Sequence, residues 1–236
     1  MNLKRRPDRR ARMEALLSPH VEPIFTSDWD GPFDGHHLTA EALRPFGLFP
    51  WQIESANHWW SRPLKTGEVG CALSHWRCWT AAAARGDRAA LFFEDDVVFS
   101  GPGAAGLEAH IARVERVEPA WDLVYFGRLR LDVGTTPLGK DVPVCEGLVR
   151  PGYSHCAHAY ALSRAGLAKL LSVGFERDII PVDEFLPALY TIHPRADVAR
   201  RYRPVLNAVA LDPSVAFQLP KDEAGSDTEA SAFVDW

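Results

Sequence analysis

The hydrophobic and polar positions of the first hundred residues follow helical periods in two places. Pro7 suits the first position of a helix, and residues 13–17 carry an apolar stripe at helical spacing. A longer run rich in Ala and Trp covers residues 68–85, with Thr66 as the expected N-cap and Gly86 as the residue that ends the helix. The pattern therefore predicts one short amphipathic helix and one long helix.

Short apolar runs between turn residues predict buried strands in the middle of the chain. Helical periods fall between and after these runs, and Ser163 and Pro181 precede two of them. Strands that alternate with helices predict the α/β class, here with a Rossmann-like, mostly parallel sheet flanked by helices. The predicted strands cover 89–93, 121–127 and 157–162, and the predicted helices cover 104–117, 163–172 and a short stretch after 181.

Three stretches lack a clear period. Met1-Asn2-Leu3 is only half a strand, which predicts a truncated first strand. Residues 21–65 are rich in Pro, Gly, His and Trp, and we expect a long functional loop region with one short helix near 39–46. Residues 221–236 form a polar tail with an aromatic end, expected to fold over the site. With 236 residues and 47% hydrophobic content, residues 1–236 are expected to form one domain.

Composition excludes some classes of function and leaves others open. The net charge of −5 provides no global basic surface for nucleic acid, and the arginines of residues 5–12 suit a solvated helix face. No apolar run is long enough to span a membrane, and the first thirty residues are charged, so we expect a cytoplasmic protein. The four cysteines are expected to be reduced. Cys71, His75 and Cys78 have zinc-like helical spacing, but core packing is the stronger interpretation.

An acidic triplet interrupts the apolar run of the first predicted strand. Glu94, Asp95 and Asp96 follow directly after Phe93, and the apolar run resumes at Val97. On an extended chain Glu94 and Asp96 project to one side and Asp95 to the other. Paired carboxylates select Mg²⁺ or Mn²⁺, which can hold a nucleotide diphosphate as it leaves. A solvated turn is the alternative interpretation of the triplet.

Several motifs, in a fixed order, strongly resemble glycosyltransferase family 25, which includes lipooligosaccharide and procollagen galactosyltransferases. The resemblance covers nearly the whole chain, and the later motifs are most similar to the collagen-modifying branch. The motifs are Asn2 to Arg9, Arg62 to His75, Phe93 to Asp96, Trp121 to Tyr125, Pro181 to Pro187, His193-Pro194 and Ser226 to Glu229.

This resemblance implies a GT-A fold, a UDP-sugar donor that is expected to be UDP-galactose, a Mn²⁺ or Mg²⁺ ion and inversion at the anomeric carbon. The acceptor is expected to be a hydroxyl group, either the hydroxylysine of a collagen-like protein or a glycan. The alternatives are a lipopolysaccharide or lipooligosaccharide core galactosyltransferase and a non-catalytic protein that binds a UDP-sugar. We expect no nucleic-acid partner and no membrane span.

Roles for individual residues follow from these motifs and from their chemistry. An inverting transfer needs a general base, for which Asp183 or Glu184 is the candidate, although both also suit the first turn of a helix. Four aromatic side chains offer stacking surfaces for a sugar or a peptide acceptor, with core packing as the alternative: Trp51, Trp59, Trp60 and Tyr153. The predicted metal ligands are Glu94, Asp96, Asp227 and Glu229, the last two being an exposed acidic tail on the alternative interpretation. The predicted donor-binding residues are Asn2, Arg5, Arg6, Thr66, Gly67, Glu68 and Asp95.

Overall fold

A computed structural model of the chain describes residues 1–31, 33–101, 103–131 and 139–235. The α-helices are, in chain order, α1 (Pro7–Leu17), α2 (Ala40–Leu43), α3 (Thr66–Arg85), α4 (Leu107–Val117), α5 (Arg164–Ser172), α6 (Val182–Ala188), α7 (Ala196–Arg201) and α8 (Lys221–Ala224). The strands are β1 (Ala89–Phe93), β2 (Val97–Phe99), β3 (Leu123–Arg130), β4 (Val142–Cys145), β5 (Leu148–Arg150), β6 (Ser154–Ser163), β7 (Ala208–Leu211) and β8 (Ala216–Gln218).

The main sheet has six strands in the order β1-β6-β3-β7-β5-β4, which confirms the α/β class. The sequence predicts a mostly parallel sheet, and this prediction is wrong. The sheet is mixed, and β3 and β7 form its one parallel pair among the described residues. β1 and β3 do run in the same direction, as their α4 crossover leads us to expect. The ten-residue strand β6 lies between them, however, and is antiparallel to both.

Apolar side chains cover both faces of the sheet. Along β3, Leu123 and Tyr125 join one core cluster while Val124 and Phe126 join the other, as the two-residue period of a strand requires. The first cluster includes residues of α3, α5 and α6, and the second includes residues of α1 and α4. The helices therefore bury both faces of the sheet, and strand ends are left to form a site.

The predicted helix boundaries hold where local chemistry sets them. Ser163 caps α5 by accepting a hydrogen bond from the Gly166 amide at 3.0 Å. Gly86 ends α3 with φ of 71°, a left-handed conformation that glycine adopts easily. The expected N-cap of α3 is wrong by one residue, because Thr66 is already helical and Lys65 is the N-cap. The backbone amide of Lys65 donates to the Glu68 carboxylate at 2.7 Å and fixes this start.

The strand that resumes after the acidic triplet belongs to a second, two-stranded sheet. β2 pairs with β8 in antiparallel register, with Val97 opposite Gln218. The Leu219 amide also donates to the Asp96 carbonyl at 2.9 Å. This pairing brings the C-terminal part of the chain to the end of β1.

The stretches without a clear period form little regular structure. Residues 1–3 are not part of a strand, and residues 21–65 contain two 3₁₀ turns and the four-residue helix α2. Residues 221–235 begin with α8 and continue without strand or longer helix, while Trp236 lies outside the described residues. Among the helices of the described ranges, none combines the length and the apolar character needed to cross a membrane.

Candidate functional site

A cleft of about 150 Å³ opens at the end of β1 and collects many of the predicted residues. The N-terminal segment, the start of α3, the acidic triplet and residues of the C-terminal tail all contribute to its walls. The predicted site residues that line it are Asn2, Arg5, Gly67, Glu94, Asp95, Asp96 and Asp227. The fold thus brings together side chains that are more than two hundred residues apart.

Glu94 and Asp96 share a partner, although the acidic triplet forms a turn between β1 and β2 and not the extended chain that the sequence analysis assumes. The side-chain amide of Gln218 donates to both carboxylates, at 3.2 Å to each. The second oxygen of Glu94 lies 3.2 Å from Nε2 of the buried His75. Asp96 Oδ1 is buried and has no hydrogen-bond partner among the described residues. The two acids therefore have few donors for the charge they would carry.

The surroundings of these acids favour their protonated forms. Burial, followed by the charge of Asp95, raises the pKa of Glu94 to about 7. Burial, followed by the charge of Glu94, raises the pKa of Asp96 to about 7. An unpartnered buried oxygen beside a second carboxylate is the donor set that a hard divalent cation takes. Glu94 and Asp96 therefore fit the metal that the sequence predicts.

Asp95 lines the same cleft but has different partners from Glu94 and Asp96, and it holds the N-terminal segment. One of its oxygens accepts from Arg9 at 2.7 Å, and the other accepts from the Asn2 side-chain amide at 2.8 Å. Asp95 and Asn2 are both buried. The two predicted donor-binding residues thus bind each other and fix the position of residues 1–9 beside the cleft.

The second predicted acidic pair, Asp227 and Glu229, does not act as a pair, because the two side chains bind different partners. Arg5 and Arg6 both donate to Asp227, the latter at 2.9 Å. The Glu229 side chain pairs with Lys221, and its carbonyl accepts from Lys65 at 2.6 Å. Glu229 is not among the described residues that line the cleft. The structure therefore does not bring Glu229 together with Glu94 and Asp96.

The C-terminal tail covers the start of α3. The Thr66 amide donates to the Ala232 carbonyl at 2.8 Å, and the Gly67 amide donates to the Ser231 hydroxyl at 2.9 Å. Glu68 caps the helix and pairs with Arg62 at 2.6 Å. These contacts occupy the predicted donor-binding groups at this helix end.

Asp183 and Glu184 occupy different surroundings although they are neighbours on α6. Glu184 accepts hydrogen bonds from Trp60 at 2.9 Å, from His193 at 2.8 Å and from the Tyr153 hydroxyl. Burial alone would raise the pKa of Glu184, but the hydrogen bonds and charges of the neighbouring histidines lower it well below its usual range. Glu184 is therefore a buried anion with its oxygens already in use.

Asp183 is half-buried and accepts no hydrogen bond from the described residues. Burial, followed by the charge of Glu94, raises the pKa of Asp183 to about 6. Asp183 therefore belongs electrostatically to the acidic end of β1, whereas Glu184 belongs to the core.

Three of the four predicted stacking residues take part in packing. Trp60 and Tyr153 donate to Glu184, and Trp51 is buried with the Arg195 guanidinium 4.4 Å from its ring. Trp59 is 46% exposed and packs under Arg62 at 4.8 Å. Trp59 thus offers the most accessible aromatic surface of the four.

Sequence reasoning did not identify several residues of the cleft. Gln218 bridges Glu94 and Asp96, and Arg9 holds Asp95. Cys71, assigned to the core, lines the cleft with its sulfur 3.9 Å from Glu94. The helical spacing of Cys71 and His75 is the one local signal that pointed to this corner. Gln218 carries no such signal, because its position depends on the pairing of β8 with β2.

The fold and the cleft define an α/β protein with a cluster of paired carboxylates at a strand end. The sequence profile described as glycosyltransferase family 25 (LPS biosynthesis protein) matches residues 1–122. The chain therefore belongs to glycosyltransferase family 25, whose GT-A-like fold agrees with the mixed sheet.

Curated relatives extend the similarity over the whole chain. Human inactive glycosyltransferase 25 family member 3 is 37% identical over 98% of this chain and 38% of its own length. Mouse procollagen galactosyltransferase 2 is 34% identical over 100% of this chain and 37% of its own length. Zebrafish procollagen galactosyltransferase 1 is 33% identical over 100% of this chain and 39% of its own length. The chain thus spans less than half the length of these relatives.

Proposed function

We propose that this chain is a metal-dependent inverting glycosyltransferase that moves a hexose, expected to be galactose, from a UDP-sugar to a hydroxyl acceptor. The observation that carries the proposal is the pair of half-buried carboxylates Glu94 and Asp96, which line the cleft, share one glutamine donor and leave Asp96 Oδ1 without a partner among the described residues. Burial raises the pKa of Asp183, on α6, and this residue is close enough for the charge of Glu94 to raise it further. Family membership supports the transfer of a sugar, and two relatives named as procollagen galactosyltransferases support galactose and a collagen-like acceptor.

Glu94 and Asp96 would hold the metal, which is Mn²⁺ or Mg²⁺ on this proposal. When bound, such an ion supplies Lewis-acid stabilisation of the diphosphate that leaves the sugar. Gln218, which donates to both acids, keeps their carboxylates side by side. His75 is kept neutral by burial, which lowers its pKa to about 3, so it does not compete as a cation.

Asp183 is the better candidate for the general base. A base must accept the proton of the acceptor hydroxyl while positive charge develops on the sugar ring. A carboxylate with a pKa of about 6 is mostly ionised at neutral pH, and it is a stronger base than an ordinary aspartate. Glu184 is the weaker candidate, because its oxygens already accept hydrogen bonds from Trp60 and His193.

The test is turnover of UDP-galactose by the purified protein with Mn²⁺ and a hydroxylysine-containing collagen peptide. We expect Glu94→Gln and Asp96→Asn to abolish measurable transfer and to weaken Mn²⁺ binding in calorimetry. Asp87→Asn is the matched control, since Asp87 is exposed and lies two residues before the start of β1, at the end of the strand away from the cleft. Transfer that survives both cleft variants would refute the metal-dependent mechanism.

The acceptor is tested by comparing two substrates under the same conditions. A collagen peptide represents the activity in the names of the procollagen relatives. A lipooligosaccharide represents the biosynthesis named in the family description. Transfer to lipooligosaccharide alone would replace the collagen-like acceptor with a glycan.

A second candidate function is binding of a UDP-sugar without catalysis. Two observations favour it: the human relative is named inactive, and Asp227 and the start of α3 are already engaged with other parts of the chain. Calorimetry with UDP-galactose and Mn²⁺, followed by a turnover assay on the same sample, separates the two functions. Tight binding without turnover would support the second candidate.

A further inference from the structure

Residues 225–234, here called the C-terminal strap, run from one wall of the cleft to the start of α3. Gly225 and Asp227 line the cleft. The far end of the strap is held by backbone hydrogen bonds, including Thr66 N to Ala232 O and Val234 N to Leu64 O, both at 2.8 Å. Asp227 is therefore the charged side chain that the strap directs at the cleft.

Arginines of the N-terminal segment surround the Asp227 carboxylate. Arg5 donates to one of its oxygens, and Arg6 donates to the other at 2.9 Å. A third guanidinium, that of Arg9, lies 3.9 Å from the carboxylate and also donates to the Gly225 carbonyl at 3.0 Å. The side chains of Asp227 and Arg6 are 21% and 19% exposed, so the ion pair is partly shielded from water. Guanidinium groups arranged in this way suit two oxygens of a phosphate as well as those of a carboxylate.

Arg5 and Arg6 each have an acidic partner besides Asp227. Arg5 also donates to Asp34 at 2.7 Å, and Arg6 pairs with Asp8 at 3.0 Å. The segment that carries them is fixed independently, because Asp95 binds both Asn2 and Arg9. The anion site would therefore persist if Asp227 moved away.

We propose that Asp227 is an internal anion that occupies a diphosphate-binding site formed by Arg5 and Arg6, and that a nucleoside diphosphate displaces it together with the C-terminal strap. The choice of a diphosphate rests on the proposed function, in which the donor is a nucleotide sugar. The site lies in the same cleft as Glu94 and Asp96.

Hydrogen bonds hold the strap to the start of α3, and Val234 packs against the core, so displacement must break these contacts. Two glycines offer places where the strap can be loosened without changing a charge. Gly225 has φ of 72° at the start of the strap, and a Cβ at this position would meet no atom within 4 Å. Three residues further along, the strap lies on the bare backbone of Gly67, where a Cβ would stand 2.7 Å from the Thr228 Cα. Gly67→Ala should therefore push the strap away from α3 and leave every charge in place.

Binding of inorganic pyrophosphate and of UDP, measured by calorimetry in EDTA, tests the proposal on the full chain. A ligand that must first displace a resident group binds with an affinity reduced by the fraction of open protein. We expect Asp227→Asn to bind pyrophosphate about tenfold more tightly than the wild type, as an open fraction of about one tenth implies. Gly67→Ala should change the affinity in the same direction, and it serves as the second variant if Asp227→Asn fails to fold.

Two further variants serve as controls. Adding Arg5→Gln and Arg6→Gln to Asp227→Asn should abolish the gain in pyrophosphate affinity. Glu223→Gln removes another carboxylate of the tail without touching the arginines, and it should bind pyrophosphate as the wild type does. Hydrogen exchange provides the structural measurement: pyrophosphate should speed the exchange of the Val234 amide, which the closed strap protects.

The outcomes separate this proposal from the proposed function. The internal-anion role of Asp227 would be overturned if Asp227→Asn bound metal-free pyrophosphate no more tightly than the wild type. It would also be overturned if no variant bound pyrophosphate. If Asp227 is instead a metal ligand, Asp227→Asn weakens Mn²⁺ binding and leaves metal-free binding unchanged. Tighter pyrophosphate binding without any turnover of UDP-galactose would uphold the anion site and refute the transferase.

Discussion

The acidic end of β1 and the buried pocket around Glu184 both contain acids removed from water, but their surroundings are opposite. Glu94 and Asp96 share the amide of one glutamine, whereas Glu184 accepts from Trp60, Tyr153 and His193. The first environment raises the pKa values of Glu94 and Asp96, and the second lowers the pKa of Glu184. The comparison teaches that the number of donors, rather than burial itself, determines which acid remains available to a ligand.

Among the variants that separate the two regions, replacing Asp183 gives the largest expected effect. If Asp183 is the base, Asp183→Asn should lower kcat about 10²- to 10⁴-fold, because the acceptor hydroxyl loses its proton acceptor. The free energy of unfolding should change little, since the half-buried carboxylate accepts no hydrogen bond from the described residues. Turnover of UDP-galactose and urea unfolding of the same sample measure the two effects. A kcat within about tenfold of the wild type would contradict the assignment.

Replacing the neighbouring acid should show the reverse behaviour. Glu184→Ala leaves the buried Tyr153 and His193 without their shared acceptor. We expect the free energy of unfolding to fall by about 3 to 5 kcal/mol, as for the loss of one member of a buried charged pair. Urea denaturation measures the change, with Asp183→Asn as the matched control one residue away. If Glu184→Ala and Asp183→Asn were equally stable, Glu184 would not be the structural anion that distinguishes its pocket from the acidic end of β1.

The pH dependence of stability gives a further test of the same contrast. Because folding raises the pKa values of Glu94 and Asp96 to about 7, both acids bind protons more tightly in the folded state. Their contribution to stability is present below the unfolded pKa values near 4 and is lost as the pH rises through about 7. Between pH 5 and pH 8, the free energy of unfolding of the metal-free wild type should therefore fall by roughly 5 kcal/mol more than that of the Glu94→Gln, Asp96→Asn double variant. Parallel stability curves from urea unfolding would show that the two carboxyls are not perturbed.

The longer helices were predictable from sequence because their signals are local, whereas the short helices α7 and α8 were not predicted. The serine that caps α5, the glycine that ends α3 and the proline that opens α1 each act within one turn of the helix. The sheet order was not predictable in this way, since it depends on where β6 inserts. Alternating strands and helices correctly indicated the direction of β1 and β3, but they contain no information about a strand that enters between them.

Local signals were also readable at the candidate site, whereas contacts between distant parts of the chain were not. The sequence grouped Glu94 with Asp96 through the period of a strand, and these two acids do share Gln218, but the triplet itself is a turn between β1 and β2. The partnership of Asp227 with Arg5 and Arg6 joins positions more than 220 residues apart. No local pattern encodes such a contact, so the sequence assigned these residues to two separate tasks.

The three consecutive acids at the end of β1 also constrain the length of the chain at this point. The triplet fills the short turn between β1 and β2, where Asp95 anchors the N-terminal segment and Glu94 and Asp96 share Gln218. Because β1 and β2 are each paired in their own sheet, inserting or deleting one residue in this turn would move the acids away from these partners. Natural variants of this junction should therefore tolerate a change of side chain more readily than a change in the number of residues.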